Sequence, residues 1–153
     1  MSRGTSLADW HRQGILVRET AVYRELVRSN GIECVLFVPD RHVPAEWSHS
    51  LLPVRVVGPS LLRRIRAMGD CTVFRGHNGR ALVAPLLASL ILGRRLVARF
   101  GYIWSWDLTN RGVSGLKLWL VLAMEWLASR RASAVIVATE DQADYLRSIH
   151  GMT

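Results

Sequence analysis

The chain has 153 residues, half of them apolar and 21% charged, and its formal net charge is +8. This composition excludes a disordered chain, which would lack the apolar surface needed to offset chain entropy. The length fits a single domain, residues 1–153, and excludes a complete two-domain enzyme. Of its basic residues only Lys117 is not Arg, which favours an anionic partner, although codon bias in a GC-rich genome gives the same composition.

Helical and strand-like segments alternate along the chain. Residues 1–12 are polar and predict a loop, and apolar residues then recur at helical spacing from 13 to 29, where Asn30-Gly31 ends the helix. Short apolar, mostly β-branched runs predict strands at 33–38, 54–57, 72–74, 96–100 and 134–138. Further helices are predicted at 61–68, 79–92 and 113–131, and a last one is capped by Thr139. The aromatic-rich segment 101–111 is predicted to be a loop.

This alternation predicts an α/β fold, a Rossmann-like parallel sheet with helices on both faces in a single domain. Such domains begin with a strand, whereas this sequence begins with a loop and a helix, so we expect the first strand to be missing and the domain to be truncated. No segment is long and apolar enough to predict a membrane span or a signal peptide. Cys34 and Cys71 predict buried, reduced thiols, as in a cytoplasmic protein.

Ligands of open α/β sheets bind beyond the carboxyl ends of the strands. His77 and Asn78 follow the strand at 72–74, where an imidazole suits proton transfer near neutral pH, although a histidine that only caps the next helix fits as well. The next strand end carries four further candidates, Arg99, Tyr102, Trp104 and Asp107. Aromatic rings stack on sugars and a carboxylate binds hydroxyl groups; the alternative is that these side chains form a local loop cluster.

Two other features have both a functional and a structural interpretation. Gly14, with Gln13 before it, stands at a predicted helix start, where backbone N–H groups bind anions or where the glycine only eases packing. Arg63, Arg64 and Arg66 lie on an amphipathic helix of the kind that contacts anionic membranes, or they form a solvated basic face. No residue spacing indicates a metal site or cofactor, and no nucleic-acid-binding module is recognisable.

Four stretches of the sequence carry a resemblance to a known family. They are SLADWHRQGILVRETAVYRELVRSNGIECVLFVP, CTVFRGHNGRALVAPLLASLILGRRLVARFGYIW, WLASRRASAVIVATEDQADYLRS and the aromatic run GYIWSW. In their order and spacing they resemble the N-terminal domain of a glycosyltransferase of the two-Rossmann-domain (GT-B) type, close to family 4. The resemblance spans nearly the whole chain.

The resemblance implies a domain that binds the acceptor, while a C-terminal domain, not found in this sequence, binds the nucleotide-sugar donor. Gly14 matches a position near the donor phosphates, and His77 matches a catalytic position in the cleft between the two domains. Arg99 and Tyr102 match a strand end facing the cleft, where many relatives have histidine.

Many relatives of this family are peripheral at the cytoplasmic membrane and act on glycan or lipid-linked acceptors. The resemblance therefore implies that this half is inactive alone and is a truncated or a split gene product, and a split product would have its donor domain encoded separately. The alternative is a non-catalytic binding or partner module, a remnant or one half of a split enzyme.

Overall fold

The computed structural model describes residues 6–38, 40, 44, 47, 51–76 and 79–151. Its internal contacts divide the chain into two compact units, residues 1–70 and 71–153. Each unit is described below by itself, and a single domain over residues 1–153 stays a prediction.

The first unit contains two parallel strands and three helices in its described residues. These are α1 (Leu7–Arg12), α2 (Leu16–Asn30), β1 (Val35–Phe37), β2 (Arg55–Val57) and α3 (Leu61–Gly69). Strand β1 pairs with β2 in parallel, with Val35 opposite Arg55. A buried cluster of Leu7, Leu16, Val38, Trp47 and Leu51 forms the core of this unit. Both strands and the helices α2 and α3 lie within a few residues of their predicted positions.

Helix α1 corrects the prediction that residues 1–12 form a loop. Its first backbone amides are satisfied by two carboxylate contacts from Asp40, which accepts from Leu7 N at 2.9 Å and from Ala8 N at 3.4 Å. The N-cap residue Ser6 accepts from Asp9 N at 3.0 Å. These bonds satisfy donors that a helix start otherwise leaves without partners.

The second unit contains a three-stranded parallel sheet flanked by helices. Its elements are β3 (Val73–Gly76), a 3₁₀ turn (Gly79–Leu82), α4 (Val83–Leu92), β4 (Arg95–Phe100), α5 (Trp104–Asn110), α6 (Leu116–Arg131), β5 (Ala132–Val137) and α7 (Glu140–His150). The strand order is β3-β4-β5 and both pairings are parallel. The predicted α/β fold with parallel strands flanked by helices is confirmed, but the described strands form a two-stranded and a three-stranded sheet rather than one continuous sheet.

The core of the second unit lies between its sheet and its helices. Apolar residues of alternate strand positions, Leu96, Ala98 and Phe100, are almost completely buried, as the two-residue period of a strand requires. The cap of α7 is confirmed, since Thr139 Oγ1 accepts from Gln142 N at 3.3 Å.

The structure also bears on the predictions about membrane spans and about the two cysteines. No helix within the described ranges is long and apolar enough to cross a membrane. Cys34 and Cys71 are partly rather than fully buried, and burial raises the pKa of the Cys34 thiol.

Candidate functional site

A polar cluster lies just beyond the carboxyl end of β4, in the second unit. Tyr102 follows the strand, and the Asp107 carboxylate raises the pKa of its hydroxyl. The same carboxylate accepts a hydrogen bond from Arg111 Nε at 2.9 Å. Gln142, from the first turn of α7, contacts the same segment through Gly101 O at 3.5 Å. The cluster therefore joins the segments that follow two neighbouring parallel strands, which is where open α/β sheets bind ligands.

The Tyr102 hydroxyl is held in its protonated form. Loss of solvation, followed by the hydrogen bond and the negative charge of Asp107, raises the pKa of Tyr102 to about 12, while the charge of Arg111 acts in the opposite direction. The side chain is still 43% exposed. At neutral pH the cluster thus presents a phenol donor, a carboxylate acceptor and a guanidinium donor to solvent, which are the groups that bind hydroxyl-bearing ligands.

Residues 104–110 form helix α5, which corrects the prediction of an aromatic loop over 101–111. The helix start is held by Glu125 of α6, whose Oε1 accepts from Trp104 N at 2.9 Å and from Ser105 N at 3.1 Å. Trp106 stacks on Tyr145 of α7, with ring centroids 5.3 Å apart. The aromatic residues are therefore partly a packing cluster, as the structural alternative held, but on a helix.

Glu125 belongs to a buried polar group that sequence reasoning did not identify. Its side chain is 1% exposed, and its Oε2 lies 3.9 Å from Nε2 of His150, whose side chain is 2% exposed. Neither of these two atoms has a hydrogen-bond partner among the described residues. The sequence contains a signal for this group, because Glu125 is the one acidic residue of an apolar stretch. An acidic residue that is buried there normally has a polar partner.

The other predicted residues of the second unit have different outcomes. Arg99 lies in β4, opposite Ile136 of β5, and is partly buried. Trp104 is the first residue of α5 and is close in sequence to Tyr102 and Asp107. His77 and Asn78 lie outside the described residues, so their predicted roles stay predictions.

Gly76, directly before those two residues, packs tightly against the 3₁₀ turn. A Cβ on Gly76 would lie 2.2 Å from Leu82 Cδ1 and 3.3 Å from Leu82 Cα. A Cβ does not approach another carbon atom to 2.2 Å, so the buried Leu82 side chain would have to shift if any other residue ended β3. Sequence analysis passed over this residue.

In the first unit, the predicted anion site at Gly14 is not supported by the backbone. Gln13 and Gly14 form the turn between α1 and α2, where Gly14 has a φ of 69° that favours glycine. The Gly14 N–H donates to His11 O at 2.9 Å and the next amide, Ile15 N, donates to Trp10 O at 2.9 Å. Both amides are thus already used inside the turn, which favours the packing role for Gly14.

The arginines of the basic helix α3 are of two kinds, two that are exposed and one that binds backbone carbonyl oxygens. Arg63 and Arg66 are exposed, as predicted, together with Leu62 and Ile65. Arg64 corrects the prediction, because its Nε donates to Gly58 O at 2.9 Å and its guanidinium also donates to Val38 O. Arg64 therefore ties down the segments that follow β1 and β2 and does not project with the other two.

In the part of the chain that the structure describes, no group of His, Cys, Asp or Glu side chains could hold a metal ion. Comparisons with protein-family models, with curated proteins and with solved structures give no match to this chain.

Proposed function

We propose that this chain is the acceptor-binding half of a glycosyltransferase that transfers a sugar from a nucleotide-sugar to a hydroxyl group of a glycan or lipid-linked acceptor. The observation that supports the proposal most is the Tyr102–Asp107–Arg111 cluster beyond the carboxyl end of β4. Its position on a parallel α/β sheet agrees with the resemblance of the sequence to the GT-B N-terminal domain, and its groups suit a polyhydroxylated ligand.

In this proposal each residue of the cluster has a defined role. Asp107 accepts a hydrogen bond from an acceptor hydroxyl, and Arg111 orients the carboxylate. Tyr102, protonated at neutral pH, donates to a second oxygen of the sugar. His77, which follows strand β3 in the sequence, is the proposed catalytic group, and Arg99 and Asn78 are the other residues proposed to bind the acceptor.

The proposal assigns no nucleotide-sugar site to this chain. A nucleotide-sugar site requires a second Rossmann-like module, carried elsewhere or encoded separately, and we expect the chain alone to have no transferase turnover. Arg63, Arg66, Leu62 and Ile65 of α3 would place the protein on the cytoplasmic face of an anionic membrane, because an exposed apolar pair beside cationic side chains suits that surface.

The proposal is tested by titrating the ¹⁵N-labelled chain with methyl glycosides and short glycans, and separately with UDP-glucose, followed by NMR. We expect amide shifts around Tyr102 and Asp107 with at least one glycan and none with UDP-glucose. Asp107→Asn should abolish these shifts. The matched control is Asp144→Asn, because Asp144 also pairs with an arginine on an exposed helix surface, Arg147 at 2.7 Å.

Three results would contradict the proposal. The first is amide shifts only with the nucleotide-sugar, and the second is sugar transfer by the chain alone. The third is amide shifts with glycans that persist in the Asp107→Asn variant. An absence of shifts with either ligand class would favour the non-catalytic partner module instead.

A further inference from the structure

Helix α6 exposes an apolar face along its whole length. Its exposed apolar side chains are Leu116, Trp119, Leu120, Trp126 and Leu127. At 100° per residue they fall within a stripe about 120° wide, and the opposite side of the helix buries Val121, Glu125, Ala128 and Ser129. A surface helix normally has polar residues on the side that faces away from the core. An apolar stripe on a 16-residue helix, about 24 Å long, marks an interaction surface.

The stripe contains a notch of the size of one large side chain. Trp119 and Trp126 lie two turns apart on the same helix face, 63% and 47% exposed, and the small Ala123 lies between them. Together with Leu122 of α6 and with Ile149 and His150 of α7 they line a depression of about 250 Å³. A concave site between two helices, walled by tryptophan rings, suits a protruding apolar side chain of a protein partner.

The exposed charges of α6 itself are positive, and the acidic residues of α7 (Glu140, Asp141 and Asp144) lie in its first half, before the notch residues Ile149 and His150. Between residues 112 and 139 the sequence has one acidic residue, Glu125, and it is buried. Lys117 and Arg130 are exposed on α6, and the Arg130 guanidinium lies 5.9 Å from the centre of the Trp126 ring. A second copy of this chain, with its net charge of +8, would bring like charges together, whereas an acidic partner would pair with them.

We infer that the α6 face, defined as the stripe with its notch, binds an acidic amphipathic helix of a partner protein. The partner's apolar positions lie along the stripe and one large apolar side chain enters the notch between Trp119 and Trp126. Its glutamates or aspartates face Lys117 and Arg130. This inference does not depend on the proposed function, because it uses a different surface and a different ligand.

The test uses the full chain and two labelled 18-residue helical peptides, measured by fluorescence anisotropy. Both have leucines at i, i+3, i+4 and i+7 spacing; one carries glutamate at its polar positions and the other lysine. We expect the acidic peptide to bind at least about tenfold more tightly, with affinity falling as salt screens the charges. The charge-reversed variant Lys117→Glu/Arg130→Glu should exchange this preference.

Two variants test the notch itself. Ala123→Leu fills it from a partly exposed position and should weaken binding of the acidic peptide about tenfold, and Trp119→Ser should do the same. The matched control is Ile91→Ser, which removes an exposed apolar side chain from α4 and should leave binding unchanged. Unchanged thermal unfolding of each variant confirms that the fold is intact.

Several results would overturn the inference. Equal binding of both peptides, or binding insensitive to Ala123→Leu, would remove it. So would self-association of the chain that Trp119→Ser abolishes, since the occupant would then be a second copy. Binding to phosphatidylcholine–phosphatidylglycerol vesicles that Trp119→Ser abolishes, without peptide binding, would assign the face to lipid.

Discussion

Replacing Glu125 by alanine should destabilise the second unit more than any single change at an exposed acidic residue. The substitution removes the carboxylate that accepts hydrogen bonds from Trp104 N and Ser105 N. The first of these bonds is partly buried and the second is buried. Leaving a buried donor without its partner costs about 1–3 kcal/mol. Two donors lose their acceptor, so we expect the free energy of unfolding to fall by about 2–6 kcal/mol.

Glu125→Gln replaces the carboxylate by a neutral amide and keeps an oxygen at the position that accepts the two hydrogen bonds. Its amide oxygen still accepts from both backbone amides, so we expect a smaller loss of about 1–2 kcal/mol, close to that of an altered helix cap. The measurement is urea-induced unfolding followed by circular dichroism, with Asp144→Ala as the control, because its exposed ion pair with Arg147 contributes under about 1 kcal/mol. A loss below about 1 kcal/mol for Glu125→Ala, or a larger loss for glutamine than for alanine, would refute the reasoning.

Other predictions concern the sheet edge and the last helix. Gly76→Ala should cost about 1–3 kcal/mol by overpacking against Leu82, measured as a lower urea midpoint, and an unchanged midpoint would contradict the close approach. Tyr102 should titrate well above pH 10 by ultraviolet absorbance, because the folded state favours its protonated form; the associated stability is present below pH 10 and is lost as the pH rises through about 12. Asp107→Asn should move that titration towards pH 10, and no movement would exclude Asp107 as a cause. Thr139→Ala should cost about 1 kcal/mol in helix stability, seen in the same unfolding assay, and a neutral result would exclude its capping role.

The strands and the long helices were predictable because their signals are local. The β-branched run at 135–137 and the helical spacing of α2 depend only on neighbouring residues. Helices α1 and α5 were missed because they are short and their caps come from far away in sequence. Asp40 is 33 residues from Leu7, and Glu125 is 21 residues from Trp104, so neighbouring residues do not reveal these contacts. Helix α1 has a local signal as well, the Ser6 N-cap, which was not recognised.

The candidate site was predictable in part for the same reason. Tyr102 and Asp107 follow one strand end, and the rule that ligands bind at carboxyl ends of parallel strands identified both. Arg64 was assigned to the surface because a basic residue on an amphipathic helix normally projects outward. Only the three-dimensional structure places the carbonyl oxygens of Gly58 and Val38 within its reach.

The two distant carboxylate caps have a consequence for the order of folding. Helices of 6 and 7 residues, the lengths of α1 and α5, do not persist alone, because isolated helices shorter than about 12–15 residues are marginal in water. Helix α5 can therefore form only once α6 has docked and brought Glu125 to its first turn. We expect the amides of α5 to gain protection from hydrogen exchange in the same kinetic step as those of α6, so that the two helices open and close as one cooperative unit.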